Sequence, residues 1–385
     1  MKYKLGEICE IVSGSTPKTT VEEYWDGDIK WITPAEITED SYIINDSARK
    51  ITELGVKKTG LTPFPEGTVI LSSRAPIGKV AIAGCEMYCN QGFKNLICSD
   101  KINNKYLYWF LKGNTDFLNS LGRGATFKEI SKGIVSEIII NVPDIDDQIA
   151  AVNNLEKLSS IMKLRKQELE ELDCLIKARF VEMFGTPLLN QKGWDVINAE
   201  ECCNVITDGS HFSPQGQVEG YPMLSVKDMR NDGFHYETCK RVSEDDFQIL
   251  KKQGCIPQVN DVLISKDGSY FYYGFVLSEY KDQAILSSIA MLRPDIQVVN
   301  PYYLCNYMLS ERIVELVSEN YVTGAALKRV ILKGIKHIPV MVPPIESQNE
   351  FADFVKQVDK SKVAVKKALD EAQLLFDSLM QEYFG

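Results

Sequence analysis

The sequence lacks any apolar run of the roughly 20 residues that a helix needs to cross a bilayer. Its first residues, MKYKLGEICEIVSG, also lack the apolar core and small-residue cleavage site of a secretory signal peptide. We therefore expect a cytoplasmic protein with no membrane partner. The 385 residues leave room for two or three domains, since a soluble domain takes about 100 to 200 residues.

Metal ligands and positive charge are also scarce. There are three histidines, and the ten cysteines are scattered without a CxxC pair. Cys85 and Cys89 are close, but no second pair completes a zinc site, so we expect reduced, mostly buried thiols and no metal. The formal net charge of -10 argues against a protein that coats nucleic acid through bulk charge. It still allows a reader with local basic patches whose partners supply much of the phosphate contact.

Three strings resemble catalytic motifs, and each has a simpler explanation. VNPYYL (299–304) is similar to the loop with which amino methyltransferases hold a flipped base, but it lacks the second proline. Asn300 and Pro301 suit the cap and first turn of a helix instead. SRAPIGKVA (73–81) resembles a phosphate-binding loop, yet Ser73 and Val80 replace two of its fixed residues. DGSH (208–211) is typical of a turn.

What the sequence does contain is an internal repeat at an offset of 200 residues. GATFKEISKGIVSEIIINVPDIDDQ (124–148) aligns without a gap with GAALKRVILKGIKHIPVMVPPIESQ (324–348), and the register continues from FVEMFG (180–185) to MQEYFG. Of the 62 positions from 124 to 185, 15 are identical to their counterparts 200 residues later. Chance identity at roughly one position in sixteen would give about four. Upstream, only patches correspond: EICEIVSG with CCNVITDG, WITPAEI with MLSVKDM, and GTVILS with NDVLIS. Each half therefore has a divergent front and a better preserved back.

The two backs predict long helices with a narrow apolar seam. Positions 151–183 and 351–383 alternate steps of four and three, as a coiled coil requires. The 33 residues of each would form a rod of about 50 Å. We expect the rods to pair antiparallel, although each could instead pack on its own domain. The predicted seam residues are Leu155, Leu158, Met162, Leu169, Leu172, Ile176, Val355, Val358, Val365, Leu369, Phe376 and Leu379.

The two fronts predict mixed α and β structure. Short apolar runs such as GTVILSS, KVAIAG, KNLICS, DVLISK and AILSSIAML predict strands, and KYLYWFLKG (105–113) and PYYLCNYMLS (301–310) predict matched helices. Their loops carry side chains that read base edges and hold phosphates, although the same residues are ordinary in loops. The candidate DNA-binding residues are Ser13, Ser15, Thr16, Lys18, Ser72, Ser73, Arg74, Lys79, Asn90, Gln91, Lys94, Arg123, Thr126, Lys128, Ser210, His211, Lys227, Arg230, Lys266, Asp267, Ser269, Tyr270, Lys328 and Arg329.

This arrangement resembles the specificity subunit of type I restriction-modification systems over essentially the whole chain. The most specific parts are the two VP-x-I-x-x-Q segments, the helices that end in MFG and YFG, and the WITPAEI and LSSRAPIGK stretches. The first copy has Asp144 where the second continues its proline pair with Pro344, which leaves open a shift in the start of the first long helix. The resemblance implies an α+β fold with two target recognition domains joined by an antiparallel coiled coil, related by a pseudo-twofold. The expected domains are 1–145 and 186–345, with long helices at 146–185 and 346–385.

The resemblance also implies function and partners. Each recognition domain would read one half of a bipartite target in double-stranded DNA, and the helices would set the spacer. The chain would have no catalytic centre or cofactor of its own. It would dock two modification subunits that use S-adenosylmethionine, and restriction subunits that use ATP and Mg. Two other classes remain: a stand-alone DNA methyltransferase or nuclease, which lacks its motifs here, and a coiled-coil scaffold that does not bind DNA.

Overall fold

The repeat of the sequence reappears as two units of structure. In the computed structural model, which describes residues 1–124, 128–324 and 328–385, the first unit comprises Met1–Lys166 and Lys367–Gly385, and the second comprises Gln167–Lys366. Each unit therefore contains one globular part and portions of two long helices. The candidate residue Thr126 lies outside the described residues.

The globular part of the first unit precedes the first long helix. Its strands are β1 (Lys2–Lys4), β2 (Cys9–Val12), β3 (Trp25–Ile32), β4 (Ile43–Ile44), β5 (Arg49–Ile51), β6 (Val69–Leu71), β7 (Val80–Ala83), β8 (Tyr88–Cys89), β9 (Asn95–Cys98) and β10 (Ile139–Asn141). Its helices are α1 (Leu5–Ile8), α2 (Glu53–Thr59), α3 (Asn104–Gly113), α4 (Thr115–Ser120) and α5 (Lys132–Ser136). The first long helix, α6, spans Ile145–Phe184.

The globular part of the second unit precedes the second long helix. Its strands are β11 (Asp195–Asn198), β12 (Cys203–Asp208), β13 (Tyr221–Leu224), β14 (Met229–Arg230), β15 (Gly233–Phe234), β16 (Lys240–Val242), β17 (Val262–Ser265), β18 (Gly274–Val276), β19 (Ala284–Ile285), β20 (Ile289–Pro294), β21 (Val322–Thr323), β22 (Arg329–Val330) and β23 (Pro339–Val342). Its helices are α7 (Glu244–Lys252), α8 (Pro301–Met308), α9 (Glu311–Asn320) and α10 (Leu332–Lys336), and the second long helix, α11, spans Ile345–Phe384.

The two globular parts have equivalent sheets. In the first, the order is β2-β9-β6-β7-β4 with a second sheet β5-β3-β8, and in the second it is β12-β20-β17-β18 with β16-β13-β19. The gapped sequence patches fall on matching elements, because β2 matches β12, β3 matches β13 and β6 matches β17. The short helical turns after β3 and β13 match as well. The carboxylate of Glu36 accepts from the backbone N–H of Thr33, and that of Asp228 accepts from Ser225, both at 2.8 Å.

The predicted aromatic helices form the cores. Helix α3 begins at Asn104, capped by Asn103, and helix α8 begins at Pro301, capped by Asn300. Both caps accept hydrogen bonds from the first-turn N–H groups, which have no partner within a helix. Tyr106 of α3 and Tyr303 of α8 are buried in the hydrophobic cores of their units.

The long helices are longer than the predicted seam, with 40 residues each. Both begin at the isoleucine after the Val-Pro segment, so Asp144 does not shift the start of α6. The backbone C=O of Asp144 accepts the N–H of Gln148 at 3.0 Å, as Pro344 accepts that of Gln348 at 3.2 Å. The first turn therefore forms with either aspartate or proline at this position. The N–H that proline lacks would have no partner within the helix, so its loss changes no helical hydrogen bond.

The helices pair antiparallel within each unit. In the first unit, Leu155 near the start of α6 lies in the same cluster as Leu379 and Phe384 near the end of α11. In the second unit, the end of α6 lies with the start of α11 in the same way. The idea that each helix packs only on its own domain is therefore wrong. The predicted seam residues are all buried or half-buried.

The repeated Phe-Gly endings have a packing role. The ring of Phe184 meets Tyr303 edge to face at 4.8 Å, and the ring of Phe384 meets Tyr106 at 4.9 Å. Aromatic pairs in such arrangements add to the free energy of simple burial. Gly185 has a φ of 82°, and its N–H donates to the C=O of Val181. This left-handed conformation ends the helix, and glycine adopts it without steric cost.

Candidate nucleic-acid interface

Loop 13–18 of the first unit is tied to loop 90–91. The N–H of Ser15 donates to the C=O of Cys89 at 3.0 Å, and the hydroxyl of Thr16 donates to the amide oxygen of Gln91. Ser15 and Gln91 are exposed. Two segments that are 75 residues apart in sequence therefore present their candidate side chains together.

Two buried tryptophans shape the same loop. The indole N–H of Trp31 donates to the C=O of Ser15 at 3.0 Å, and that of Trp25 donates to the C=O of Lys18 at 3.2 Å. Because a buried indole N–H needs a partner, these bonds hold the loop backbone while the side chains of Ser15 and Lys18 remain exposed.

Several predicted residues hold turns and are not themselves at the surface. Ser72 and Ser73 are fully buried, and the Ser72 hydroxyl donates to the C=O of Pro76 and accepts the N–H of Lys79. The ammonium of Lys79 donates to the C=O of Pro34. Asn90 also holds a turn, because its amide oxygen accepts the N–H of Gly92. By contrast, the candidates Ser13 and Arg123 are exposed.

Three charged side chains form what we term the first cluster: Arg74, Lys94 and Glu129. Nε of Arg74 donates to Oε2 of Glu129 at 2.9 Å, and Nζ of Lys94 lies 3.2 Å from Oε1 of Glu129. The side chain of Lys94 is 8% exposed, that of Glu129 35% and that of Arg74 45%. A bridge between the backbones of Arg74 and Glu129 fixes the pair.

Glu129 is held in its ionised form. Partial burial raises the pKa of this carboxyl, but hydrogen bonds and charges from Arg74 and Lys94 outweigh burial and the net shift is downward. Its backbone forms an antiparallel bridge with that of Arg123, and the exposed Lys128 precedes it in the chain, next to the cluster.

The DGSH segment of the second unit forms the expected turn. The hydroxyl of Ser210 donates to the C=O of Phe212 and accepts the N–H of the same residue. Nε2 of His211 lies 3.4 Å from Oδ1 of Asp208, and the His211 side chain is 72% exposed. Ser210 is thus occupied with the backbone, and the segment has no nucleophile geometry.

The charged residues of this region form the second cluster: Asp208, Lys266, Asp267 and Arg329. Nζ of Lys266 lies 3.3 Å from Asp208 and 3.4 Å from Asp267, and Nε of Arg329 lies 3.1 Å from Oδ1 of Asp267. The side chain of Lys266 is 4% exposed and that of Arg329 48%. The N–H of Gly268 donates to the C=O of Lys328, which places the exposed Lys328 beside the cluster.

The remaining candidates of the second unit lie in adjoining turns. The guanidinium of Arg230 donates to the C=O of Lys227 and lies 5.5 Å from the ring centre of Tyr273. Lys227 is exposed. The C=O of Ser269 accepts the hydroxyl of Ser265, and the hydroxyl of Tyr270 bonds that of Ser318 on α9.

The two clusters occupy equivalent places with opposite polarity. Arg74 follows β6 and pairs with Glu129, whereas Asp267 follows β17 and pairs with Arg329. Sequence reasoning missed Glu129 and Asp208, because it selected mainly cations and hydroxyl groups, with Asp267 as the one carboxylate. The offset of 200 residues does pair Glu129 with Arg329, and this change of sign in a preserved segment was the available signal.

The described residues contain no group of three or more side chains suited to a metal ion. VNPYYL begins helix α8, as predicted, and SRAPIGK joins two antiparallel strands, which is not the strand-to-helix setting of a phosphate-binding loop. Burial raises the pKa of Cys89 and of Cys305 to about 12, so these thiols stay protonated at neutral pH. No helix among the described residues is long and apolar enough to cross a membrane.

Fold and loops together define a class: a duplicated α+β binding module on paired long helices. Two segments, 1–173 and 191–373, match the family model of the type I restriction modification DNA specificity domain. The chain therefore belongs to the specificity subunits of type I restriction-modification systems, the family that supplies DNA sequence recognition.

Individual proteins agree with the family match. The chain is 27% identical to the type I restriction enzyme MjaIX specificity subunit of Methanocaldococcus jannaschii, over 98% of this chain and 90% of that protein. It is 19% identical to the EcoBI specificity subunit of Escherichia coli, over 83% and 73%. The S subunit of the type I restriction-modification system from M. genitalium has the same fold, with a TM-score of 0.59 and 16% identity, over 100% of this chain and 96% of that one. The predicted family and fold class are confirmed.

Proposed function

We propose that the two units read the two different halves of a bipartite site in double-stranded DNA. The observation that carries this proposal is the pair of clusters, which occupy equivalent places on one scaffold but differ in residue identity and polarity. Equivalent scaffolds would approach DNA in similar ways, while different loop side chains would select different bases.

The long helices would set the spacer between the half-sites. Each helix has 40 residues, or about 60 Å at roughly 1.5 Å per residue, and each belongs partly to the first unit and partly to the second. Stiff helices that are shared in this way would fix the spacer length, whereas a flexible linker would not.

The chain would act as the non-catalytic subunit of a larger enzyme. It would dock two modification subunits, which bind S-adenosylmethionine, and restriction subunits, which use ATP and Mg. Leu164, Val363 and Leu374 of the long helices are 63%, 69% and 71% exposed, and we take them as candidate contacts for these subunits. Partners around the duplex would also explain how a chain of net charge -10 binds DNA.

Methylome sequencing tests the proposal directly. Adenine methylation would be mapped in a host that carries the modification subunit, with and without this chain. We expect a split, asymmetric motif to be methylated only when the chain is present, and the purified chain alone to methylate nothing. An unchanged methylome in the presence of an active modification subunit would rule the proposal out and favour a scaffold that does not read DNA.

A further inference from the structure

The two clusters share a geometry that ordinary surface ion pairs do not have. In each, one carboxylate contacts two cations: a lysine that is almost fully buried, and an arginine that is about half exposed. Exposed ion pairs contribute little to stability and hold long side chains loosely. In the first cluster Lys94 offsets the charge of Glu129, and in the second Lys266 lies between Asp267 and Asp208. In both, the carboxylate next to the buried lysine also holds the arginine.

The arginine is held by the same atom in both clusters. The ion pair joins Nε of Arg74 to Glu129, and Nε of Arg329 to Asp267. A guanidinium fixed through Nε presents its two terminal nitrogens outward in a plane. That end-on fork matches O6 and N7 of guanine, which is the commonest specific contact between proteins and the major groove.

The reversal of polarity strengthens this inference. The arginine lies after β6 in the first unit and in β22 in the second, and the carboxylate lies on the opposite partner each time, as Glu129 and as Asp267. The buried lysine also changes position, from Lys94 at the start of β9 to Lys266 at the end of β17. Lysine, carboxylate and half-exposed arginine recur although none of the three positions keeps its residue.

Orientation favours a base over a phosphate as the ligand. An arginine fork can hold a phosphate as well as a base, but a phosphate can also be bound by a simple point charge such as lysine, whereas O6 and N7 of guanine need donors held in one plane. A carboxylate next to the arginine also weakens attraction for a phosphate, since like charges repel. In each cluster the carboxylate therefore lowers the net positive charge but holds the arginine in one orientation.

The geometry points to one assignment: Arg74 and Arg329 each read a guanine, one in each half-site, and Glu129 and Asp267 are positioning residues that hold the two guanidinium groups. The assignment rests on the proposed function, because it requires that each unit reads its own half of the target.

The test uses the complex of the full chain with its modification subunit. Methylation rates would be measured on a set of duplexes in which each base pair of the target is changed in turn. For Arg74→Ala we expect discrimination at one G·C pair of one half-site to fall by about 10- to 100-fold, with the other half-site read as before. Arg329→Ala should do the same in the other half-site.

Matched variants separate base reading from other roles. Arg74→Lys keeps the charge but not the fork, so it should lose the same discrimination. Glu129→Gln should lose part of this discrimination, so that duplexes with the G·C pair changed are methylated at a rate closer to that of the original target. Arg312→Ala removes an exposed arginine that pairs with Glu315 on α9, and it should change nothing.

The double variant Arg74→Asp with Glu129→Arg guards against a folding defect. It exchanges the two partners of the ion pair while Lys94 stays beside them, and thermal denaturation would show whether the fold is retained. In a folded double variant the guanidinium starts from position 129, so we expect preference at that G·C pair to change.

Three results would overturn the assignment. The first is a half-site without any G·C pair. The second is full discrimination by Arg74→Lys, and the third is an equal loss on all duplexes with a salt slope reduced by about one, as for a phosphate contact. If the wild-type complex has no sequence preference at all, the proposed function fails instead.

Discussion

At the scale of single residues, the sequence predicts several members of the two clusters but not the contacts that they make. Arg74, Lys94, Lys266 and Arg329 follow from residue type and loop position. The role of Glu129 does not, because an ion pair across 55 residues leaves no spacing signal in the sequence. Lys94 was selected as a surface ligand, yet its ammonium is buried beside that carboxylate.

The ion pairs of Glu129 make a prediction about pH. The pKa of this carboxyl is lowered in the folded chain. A lowered pKa contributes stability that is present above the unfolded value of about 4.3 and is lost as pH falls through the folded value. Thermal denaturation of the wild type should therefore show a loss of stability below about pH 5, and Glu129→Gln should show a smaller one. Equal pH dependence in the two proteins would contradict this account.

At the scale of elements, sequence patterns located the strands, the aromatic helices and the long helices. Helix α6 begins six residues before the seam, whose first position is 151. The seam marks the residues that face a partner helix, whereas the first turn is set by contacts with the globular part. Gln148 and Gln348, which appear in the sequence only as part of a repeated string, make these contacts.

The glutamine at each helix start is fully buried and makes three hydrogen bonds. The amide oxygen of Gln148 accepts the N–H of Asn103, and its amide nitrogen donates to the C=O groups of Lys101 and Pro143. Gln348 makes the same contacts with Asn300, Val298 and Pro343. Each glutamine therefore joins the start of a long helix to the loop before an aromatic helix.

Replacing this glutamine should destabilise its unit. Gln148→Ala leaves one partly buried N–H and two partly buried C=O groups without their partner, and a buried group in this state costs about 1–3 kcal/mol. We expect the free energy of unfolding in urea to fall by at least about 2 kcal/mol. Gln167→Ala, an exposed glutamine of α6 that bonds Glu171, is the control and should change it by less than about 0.5 kcal/mol. Similar values for the two variants would show that the buried bonds matter little.

At the scale of the whole molecule, the repeat predicts more than any motif does. One offset gave two copies of a module, their order and the pairing of the long helices, because a seam on each of two copies can bury itself against the other. It could not give the base preferences, since those depend on loop side chains that differ between the copies. The charge of -10 likewise agrees with the proposal that partner subunits supply much of the phosphate contact.

If the long helices set the spacer, a change in their length should change the spacer length. Seven residues inserted after Lys166 and seven after Lys366, where the two units divide each helix, preserve the seam because the hydrophobic pattern repeats every seven residues. They lengthen both helices by about 10 Å, which corresponds to about three base pairs at roughly 3.4 Å each. Methylome sequencing should then show the same two half-sites with a longer spacer. Insertions of four residues, which break the seam, are the control and should abolish methylation. A changed half-site with an unchanged spacer would show that the helices do not set the spacer and assign them a different role in recognition.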